Sequence, residues 1–264
     1  MNRIKGKQVI ITGASSGIGR ACAEQFAAQE ADLMLLARRV ERLQKLKSQL
    51  EKKYSASVAV RGLDVRNREE VRSFAEELKK LSVYPDILIN NAGLAAGLDL
   101  LHEGSFEDWD RMIDTNIKGL LNVSRCIIPL MVERNSGHIV NLGSISGYQV
   151  YRKGNVYNAT KFAVRALTEG MNLDLLETNI RVSAVCPGAV RTEFSEVRFD
   201  GDSEKAELSY KGYNPAQSRR RRPGRSIYRE CAGTCQYPGN NRHADRPEKR
   251  VCMAPSKKLK HCWP

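Results

Sequence analysis

The chain has 264 residues, 41% of them hydrophobic and 28% charged, which suffices for one large α/β domain with a buried core; it contains no apolar run long enough to cross a membrane. Its first residues lack the apolar stretch of a secretory signal and its seven cysteines are an odd number, so a cytoplasmic protein without a disulfide framework is expected. The net charge of +13 points to nucleic acid only until it is located. Residues 217–264 carry 13 Lys and Arg against 3 Asp and Glu, which leaves a net of +3 for the rest of the chain.

Strand and helix patterns alternate from the start. The apolar run VIITG at 9–13 ends in glycine as a buried parallel strand does, and helical spacing follows over 19–30. A second buried strand is predicted at 33–37, then an amphipathic helix at 40–53 with Leu43, Leu46 and Leu50 on one face. The patterns continue with a strand at 57–63, a helix at 68–81 and strands at 86–90, 138–142 and 181–186. Long helices are predicted over 108–135 and 156–177. Repeated βα units of this kind predict a doubly wound, Rossmann-type parallel sheet, with the catalytic domain spanning 1–216.

Between the first strand and first helix lies Thr12-Gly13-Ala14-Ser15-Ser16-Gly17-Ile18-Gly19. Glycines there permit positive φ and close approach of the backbone to a pyrophosphate, and the helix start offers free N–H groups to the anion. The second strand ends in Ala37-Arg38-Arg39, where a fold that prefers NAD places a carboxylate on the ribose hydroxyls. Two arginines instead suit a 2′-phosphate, so NADP is the expected cofactor.

Tyr157 and Lys161 stand four apart on a predicted helix and share a face. A tyrosine titrates near ~10, and an adjacent ammonium favours the phenolate that proton exchange with an alcohol needs. Asn90-Asn91-Ala92-Gly93 closes the fourth strand, Asn116 lies in a helix, Ser144 follows the fifth strand and Pro187-Gly188 the sixth. The strand-end motifs all sit at carboxyl ends, where open parallel sheets bind ligands.

With these motifs, residues 5–200 resemble the classical short-chain dehydrogenase/reductase family. The resemblance implies that Tyr157 is the general acid/base, that Ser144 hydrogen-bonds the reacting oxygen, and that Lys161 lowers the tyrosine pKa and binds the nicotinamide ribose. It implies that Asn116 helps to hold a proton-relay water, and that Asp64 and Val65 meet the adenine. Asn90, Ala92 and Gly93 would line the cofactor ribose, while Pro187, Gly188, Val190 and Thr192 would contact the nicotinamide end. Further motifs (NNAGLAAG, DTNIKGL, MVERNSGHIVNLGS, GNVYNATKFAVR, TEFSEVRFDGD) are similar to the NADP-dependent 3-hydroxy acid dehydrogenase group. That similarity implies L-serine, L-allo-threonine or 3-hydroxypropionate as substrates, or reduction of malonic semialdehyde. Arg191 and Arg198 are then the candidate partners of a substrate carboxylate. A general ketone, sugar or steroid reductase is the alternative within the fold; the polar motifs fit small substrates better.

The pattern stops near Tyr213. The family resemblance implies a further helix and strand that help to build a homotetramer, but the chain reads NPAQSRRRRPGRSIYRECAGTCQYPGN. One codon choice for Cys231–Gly239, TGC GCC GGC ACA TGT CAA TAT CCC GGA, read one base later gives APAHVNIP once the A that opens Asn240 is added. Extending this from Ser218 to Arg246 gives AEDVARAVAFIANAPAHVNIPEIIAMPT, a helix-period face and a strand-like run that look like the missing ending. Residues 217–264 are therefore read as a frameshifted or disordered basic tail. A nucleic-acid-binding arm around Arg219–Arg222 is the functional alternative. Cys231, Cys235, His243 and Cys252 match no compact zinc finger, so no metal is expected. Followed by circular dichroism, the chain as written is expected to melt below a version carrying the in-frame ending; equal melting temperatures would count against this reading.

Overall fold

Unbroken apolar runs of four or five residues suit strands that are covered on both faces, and amphipathic helices supply the covers. The computed structural model describes residues 3–54, 56–208 and 216–217. In chain order the first elements are β1 (Gln8–Thr12), α1 (Gly17–Ala27), β2 (Asp32–Ala37), α2 (Val40–Lys53), β3 (Val58–Gly62), α3 (Arg68–Lys80) and β4 (Ile87–Asn90). There follow α4 (Phe106–Ile113), α5 (Leu120–Glu133), β5 (Gly137–Leu142), α6 (Asn155–Asp174) and β6 (Ile180–Val185). Six parallel strands pair in the order β3-β2-β1-β4-β5-β6. The chain builds outward from β1 in one direction, then returns to build outward from β4 in the other. The order thus reverses between β1 and β4, which opens a crevice at their carboxyl ends.

Alternate residues of each strand enter opposite layers. Val9 and Ile11 pack with Phe26, Leu33, Leu35, Leu43, Leu46 and Leu50 beneath α1 and α2. Ile10 joins Leu88, Val71, Phe74, Ile127, Met131 and Val164 beneath α3, α5 and α6. Among the described residues no helix is long and apolar enough to cross a membrane.

Two parts depart from the sequence reading. The single helix predicted over 108–135 is α4, a π-helical turn at Asp114–Gly119, and then α5 with Pro129 inside it. The apolar periodicity runs on through this region, but the turn packs so closely that a Cβ on Gly119 would lie 2.6 Å from Val65 Cγ2. Such single π turns occur often at functional sites, and this one carries Asn116. After β6 the sequence reading proposed no element before the tail. The chain there forms β7 (Val190–Arg191), α7 (Phe194–Arg198), α8 (Ser203–Leu208) and β8 (Ala216–Gln217), with β7 and β8 paired in parallel. The expectations about the frameshifted ending, the basic arm and the zinc set fall on residues outside those described.

The central strands are tied at their carboxyl ends by one hydroxyl. Thr12 Oγ1 accepts from the backbone N–H groups of Asn91 and Ala92, both at 3.0 Å, and donates to the Ile89 carbonyl at 3.3 Å. Thr12→Val keeps the shape and strands the Ala92 amide donor, since the Asn91 N–H also donates to the Ile89 carbonyl at 3.0 Å; a donor left buried and unpaired costs about 1–3 kcal/mol. Urea unfolding is expected to show a loss of about 2 kcal/mol, together with weakened nucleotide binding; an unchanged midpoint would contradict this.

Candidate active site

The turn after β1 is built by close approach. Gly13 and Gly17 have φ of +64° and +54°, open to glycine at little strain. A Cβ on Gly13 would lie 2.9 Å from the Ala92 Cα, and one on Gly19 would lie 2.4 Å from Asn91 Nδ2. Asn91 earns that space by donating from Nδ2 to the Thr12 and Gly13 carbonyls, at 2.9 and 3.1 Å. Ser16 caps α1 without a side-chain hydrogen bond, so the first N–H groups of an eleven-residue helix face the crevice unpaired by their own cap.

One continuous cleft runs from this turn along the strand ends. Gly13, Ser15, Ser16, Gly17 and Ile18 line one end with Arg38, Arg39, Asp64 and Val65; Ala92, Gly93, Ser144, Tyr157 and Lys161 line the middle. Pro187, Gly188, Val190, Thr192 and Arg198 complete it. Four sequence-predicted residues stand elsewhere. Gly19 is spent on the packing of the turn itself. Asn90 is buried, its side chain turned away from the cleft to donate to Ser124 Oγ at 3.1 Å and Asn141 Oδ1 at 2.9 Å. Arg191 points outward and pairs with Glu207 at 2.8 Å. Asn116 lies behind the wall. Its Nδ2 donates to the Leu94 carbonyl and to Thr160 Oγ1, its Oδ1 accepts from Leu94 N, and its amide is thereby committed to bracing the β4 loop against α6.

At the reacting end, α6 holds Tyr157 and Lys161 on one face, as their spacing requires. Ser144 caps a short 3₁₀ turn (Ile145–Gly147), accepts from Ser146 N at 3.1 Å and hydrogen-bonds the Tyr157 phenol. Burial pushes the Tyr157 pKa up to about 12, against the lowering pull of Ser144 and Arg198. Lys161 is buried too and its pKa is drawn down to about 8 by that burial, while its Nζ donates to the Leu142 carbonyl at 2.8 Å. The Nζ lies 5.9 Å from the Tyr157 ring centroid. Desolvation thus weighs on the charged forms of both groups.

Arg198 stands beside this pair. Its guanidinium is 5.2 Å from the Tyr157 ring centroid and 5.7 and 5.9 Å from the rings of Tyr151 and Phe194. It donates from Nη2 to the Tyr151 hydroxyl, whereas its buried Nε has no partner among the described residues. Phe194 in turn meets Tyr157 edge-on at 5.6 Å. Tyr151 and Phe194 escaped the sequence reading, since neither belongs to a spacing with chemical meaning. At the opposite end Arg38 is exposed, and its charge helps to hold the Asp64 carboxyl low. Burial raises Asp64, but hydrogen bonds from Arg66 outweigh it.

A family model described as short chain dehydrogenase matches residues 7–202. The chain is 45% identical over 203 residues, 76% of its own length and 80% of the relative's, to the NADP-dependent 3-hydroxy acid dehydrogenase YdfG of Escherichia coli K12. It is 41% identical over 211 residues, 80% of its length and 83% of the relative's, to sulfoacetaldehyde reductase 2 of Chromohalobacter salexigens. Among solved structures, the closed form of serine dehydrogenase complexed with NADP+ superposes with a TM-score of 0.74 at 44% identity, covering 80% of this chain and 84% of that one.

The buried lysine has a consequence for stability. Its folded-state pKa of about 8 lies below the unfolded value, so between these the unfolded chain binds more protons and stability rises with pH. Thermal melts of the free protein are expected to climb between about pH 8 and 10. Lys161→Met should flatten that climb, and a variant with the same slope as the parent would refute the assignment.

Proposed function

Since this chain belongs to the short chain dehydrogenase family, we propose that it is an NADP-dependent oxidoreductase acting at the hydroxyl-bearing carbon of small 3-hydroxy acids. The observation that carries the substrate class is Arg198, a guanidinium with an unpaired buried Nε beside the proton-exchanging phenol. A 3-hydroxy acid has one carbon between its carbinol carbon and its carboxylate. With its oxygen on Tyr157 and Ser144, such a molecule brings its carboxylate towards Arg198, where a charge-assisted hydrogen bond is available. The names of the relatives fit the same chemistry. Hydroxy acids, serine and sulfoacetaldehyde are all small molecules with an anionic group close to the reacting carbon. A neutral ketone or steroid gives this guanidinium nothing to pair with, so the general-reductase alternative is less well supported.

The cleft suits a phosphorylated dinucleotide. The open start of α1 fits a pyrophosphate, and Arg38, free of hydrogen bonds among the described residues, fits a 2′-phosphate together with Arg39. NADP supplies hydride exchange with the substrate carbon when bound there. The protein supplies the rest. With its pKa near 12, the Tyr157 phenol keeps its proton at neutral pH and is ready to donate it to an alkoxide formed on reduction. In the oxidative direction the same group must first release that proton, so alcohol oxidation gains from rising pH. Ser144 holds the reacting oxygen against the phenol, and Lys161 keeps a partly charged ammonium behind the ring.

Reduction of NADP in the presence of L-serine, L-allo-threonine and 3-hydroxypropionate tests the reading. Tyr157→Phe is expected to lower turnover by roughly 10²–10⁴-fold. Arg198→Ala is expected to raise KM for the acids by roughly 10–100-fold, as the loss of a hydrogen bond to a charged group does, and to leave KM for neutral alcohols unaffected, while the loss of its charge beside Tyr157 falls on kcat for both classes alike. Turnover of neutral alcohols equal to that of the acids in the parent protein would defeat the proposal.

A further inference from the structure

The loop between β7 and α7 reaches across the mouth of the cleft and places an acidic residue on the arginines at the end of β2. Glu193 accepts from Arg42 Nη1 through both oxygens, at 2.6 and 2.8 Å, and from Arg39 Nη1 at 3.1 Å. The other terminal nitrogen of Arg39 is spent on the hydroxyls of Ser15 and Ser16, at 3.2 and 2.9 Å, in the turn that faces the pyrophosphate position. The cluster is half-exposed, with side-chain exposures of 39–47%. Burial raises the Glu193 pKa, but hydrogen bonds from Arg42 and Arg39 outweigh it and keep the group ionised. An internal carboxylate therefore occupies Arg39, one of the two arginines that the NADP reading gives to a 2′-phosphate, together with its neighbour Arg42.

We propose that Glu193 is a specificity-determining residue for the cofactor: its carboxylate occupies Arg39 and Arg42 and must be displaced by a 2′-phosphate, which lowers the preference for NADP that these arginines would otherwise give. This inference rests on the NADP reading above. A dianionic phosphate and a carboxylate that draw on the same Arg39 guanidine repel one another, so one yields. A dinucleotide with free 2′- and 3′-hydroxyls carries no such charge and leaves the Glu193 pairs in place. Since the contacts of the Glu193 carboxylate are to Arg39 and Arg42, the conservative Gln substitution removes the charge without touching the core.

The test is isothermal titration calorimetry of the full chain and of Glu193→Gln with NADP+, NAD+ and adenosine 2′,5′-bisphosphate, with circular dichroism to verify that both proteins fold alike. Relief of an exposed ion-pair competition is expected to tighten NADP+ and the bisphosphate by roughly three- to tenfold in Glu193→Gln. NAD+ affinity is expected to change by less than about twofold, since Glu193 does not compete with a bare ribose. An unchanged or weakened NADP+ affinity in the variant overturns the proposal, because Glu193 then supports the phosphate or ignores it. So does an equal gain for NAD+, which would assign Glu193 to general loop closure. If the parent protein binds NAD+ as tightly as NADP+, the cofactor reading itself fails; if the parent prefers NADP+ and the variant keeps the same ratio, only the role of Glu193 fails.

Discussion

The side-by-side pairing of β1 and β4 is the constraint on which the rest depends. Because the chain leaves these neighbours in opposite directions, their carboxyl ends part and a crevice is left that no side chain of either layer can fill. Thr12 holds the two rims in register through backbone bonds to Asn91 and Ala92, so the glycine turn of β1 and the wall of β4 form one rigid floor. Every group with chemistry is then hung on that floor by an element whose position the sheet has already fixed. Lys161 anchors to the end of β5 through Leu142, and Asn116 anchors the β4 loop to α6.

Burial decides the electrostatics of the reacting end. The phenol and the ammonium both sit where water is excluded, and each is pushed towards its neutral form. The two shifts bring the titration of the amine close to neutral pH while moving that of the phenol away from it. The free protein is thus set to donate a proton. The arginines mark the two ends of the cleft with positive charge, Arg38 and Arg39 at one and Arg198 at the other, which matches a ligand pair with anionic groups at both extremities.

Much of this was legible in the sequence, for reasons that are local. Strand ends and the glycine turn announce themselves because doubly buried strands are unbroken apolar runs and positive φ calls for glycine, as at Gly13 and Gly17. Tyr157 and Lys161 could be paired because a helix brings residues four apart together. What could not be read depends on contacts between distant parts of the chain. Arg191 and Arg198 are equivalent as letters, and only the fold, which sets Arg191 in β7 beside α8 and Arg198 at the end of α7, turns one towards Glu207 and the other towards Tyr157. Glu193 lies 154 residues from Arg39, and no spacing rule links them. The π turn at Asp114–Gly119 hid inside an apolar periodicity that a straight helix would share. Asn90 sat in the right motif, but its side chain serves the strand interior.

The crowding at the glycine turn also bears on how this sequence can drift. Gly19 has no room for a Cβ because the Asn91 amide and the Gly13 carbonyl fill the place, and Asn91 stays there because it bonds the Thr12 and Gly13 carbonyls. Neither position can change by itself without a clash or a pair of abandoned carbonyls. A smaller residue at 91 does not reopen position 19 either, because a Cβ there would still lie 2.5 Å from the Gly13 carbonyl oxygen, which is backbone. Substitutions at these two positions, 72 apart in the chain, therefore share a neighbour in the Gly13 carbonyl, and their energies cannot add.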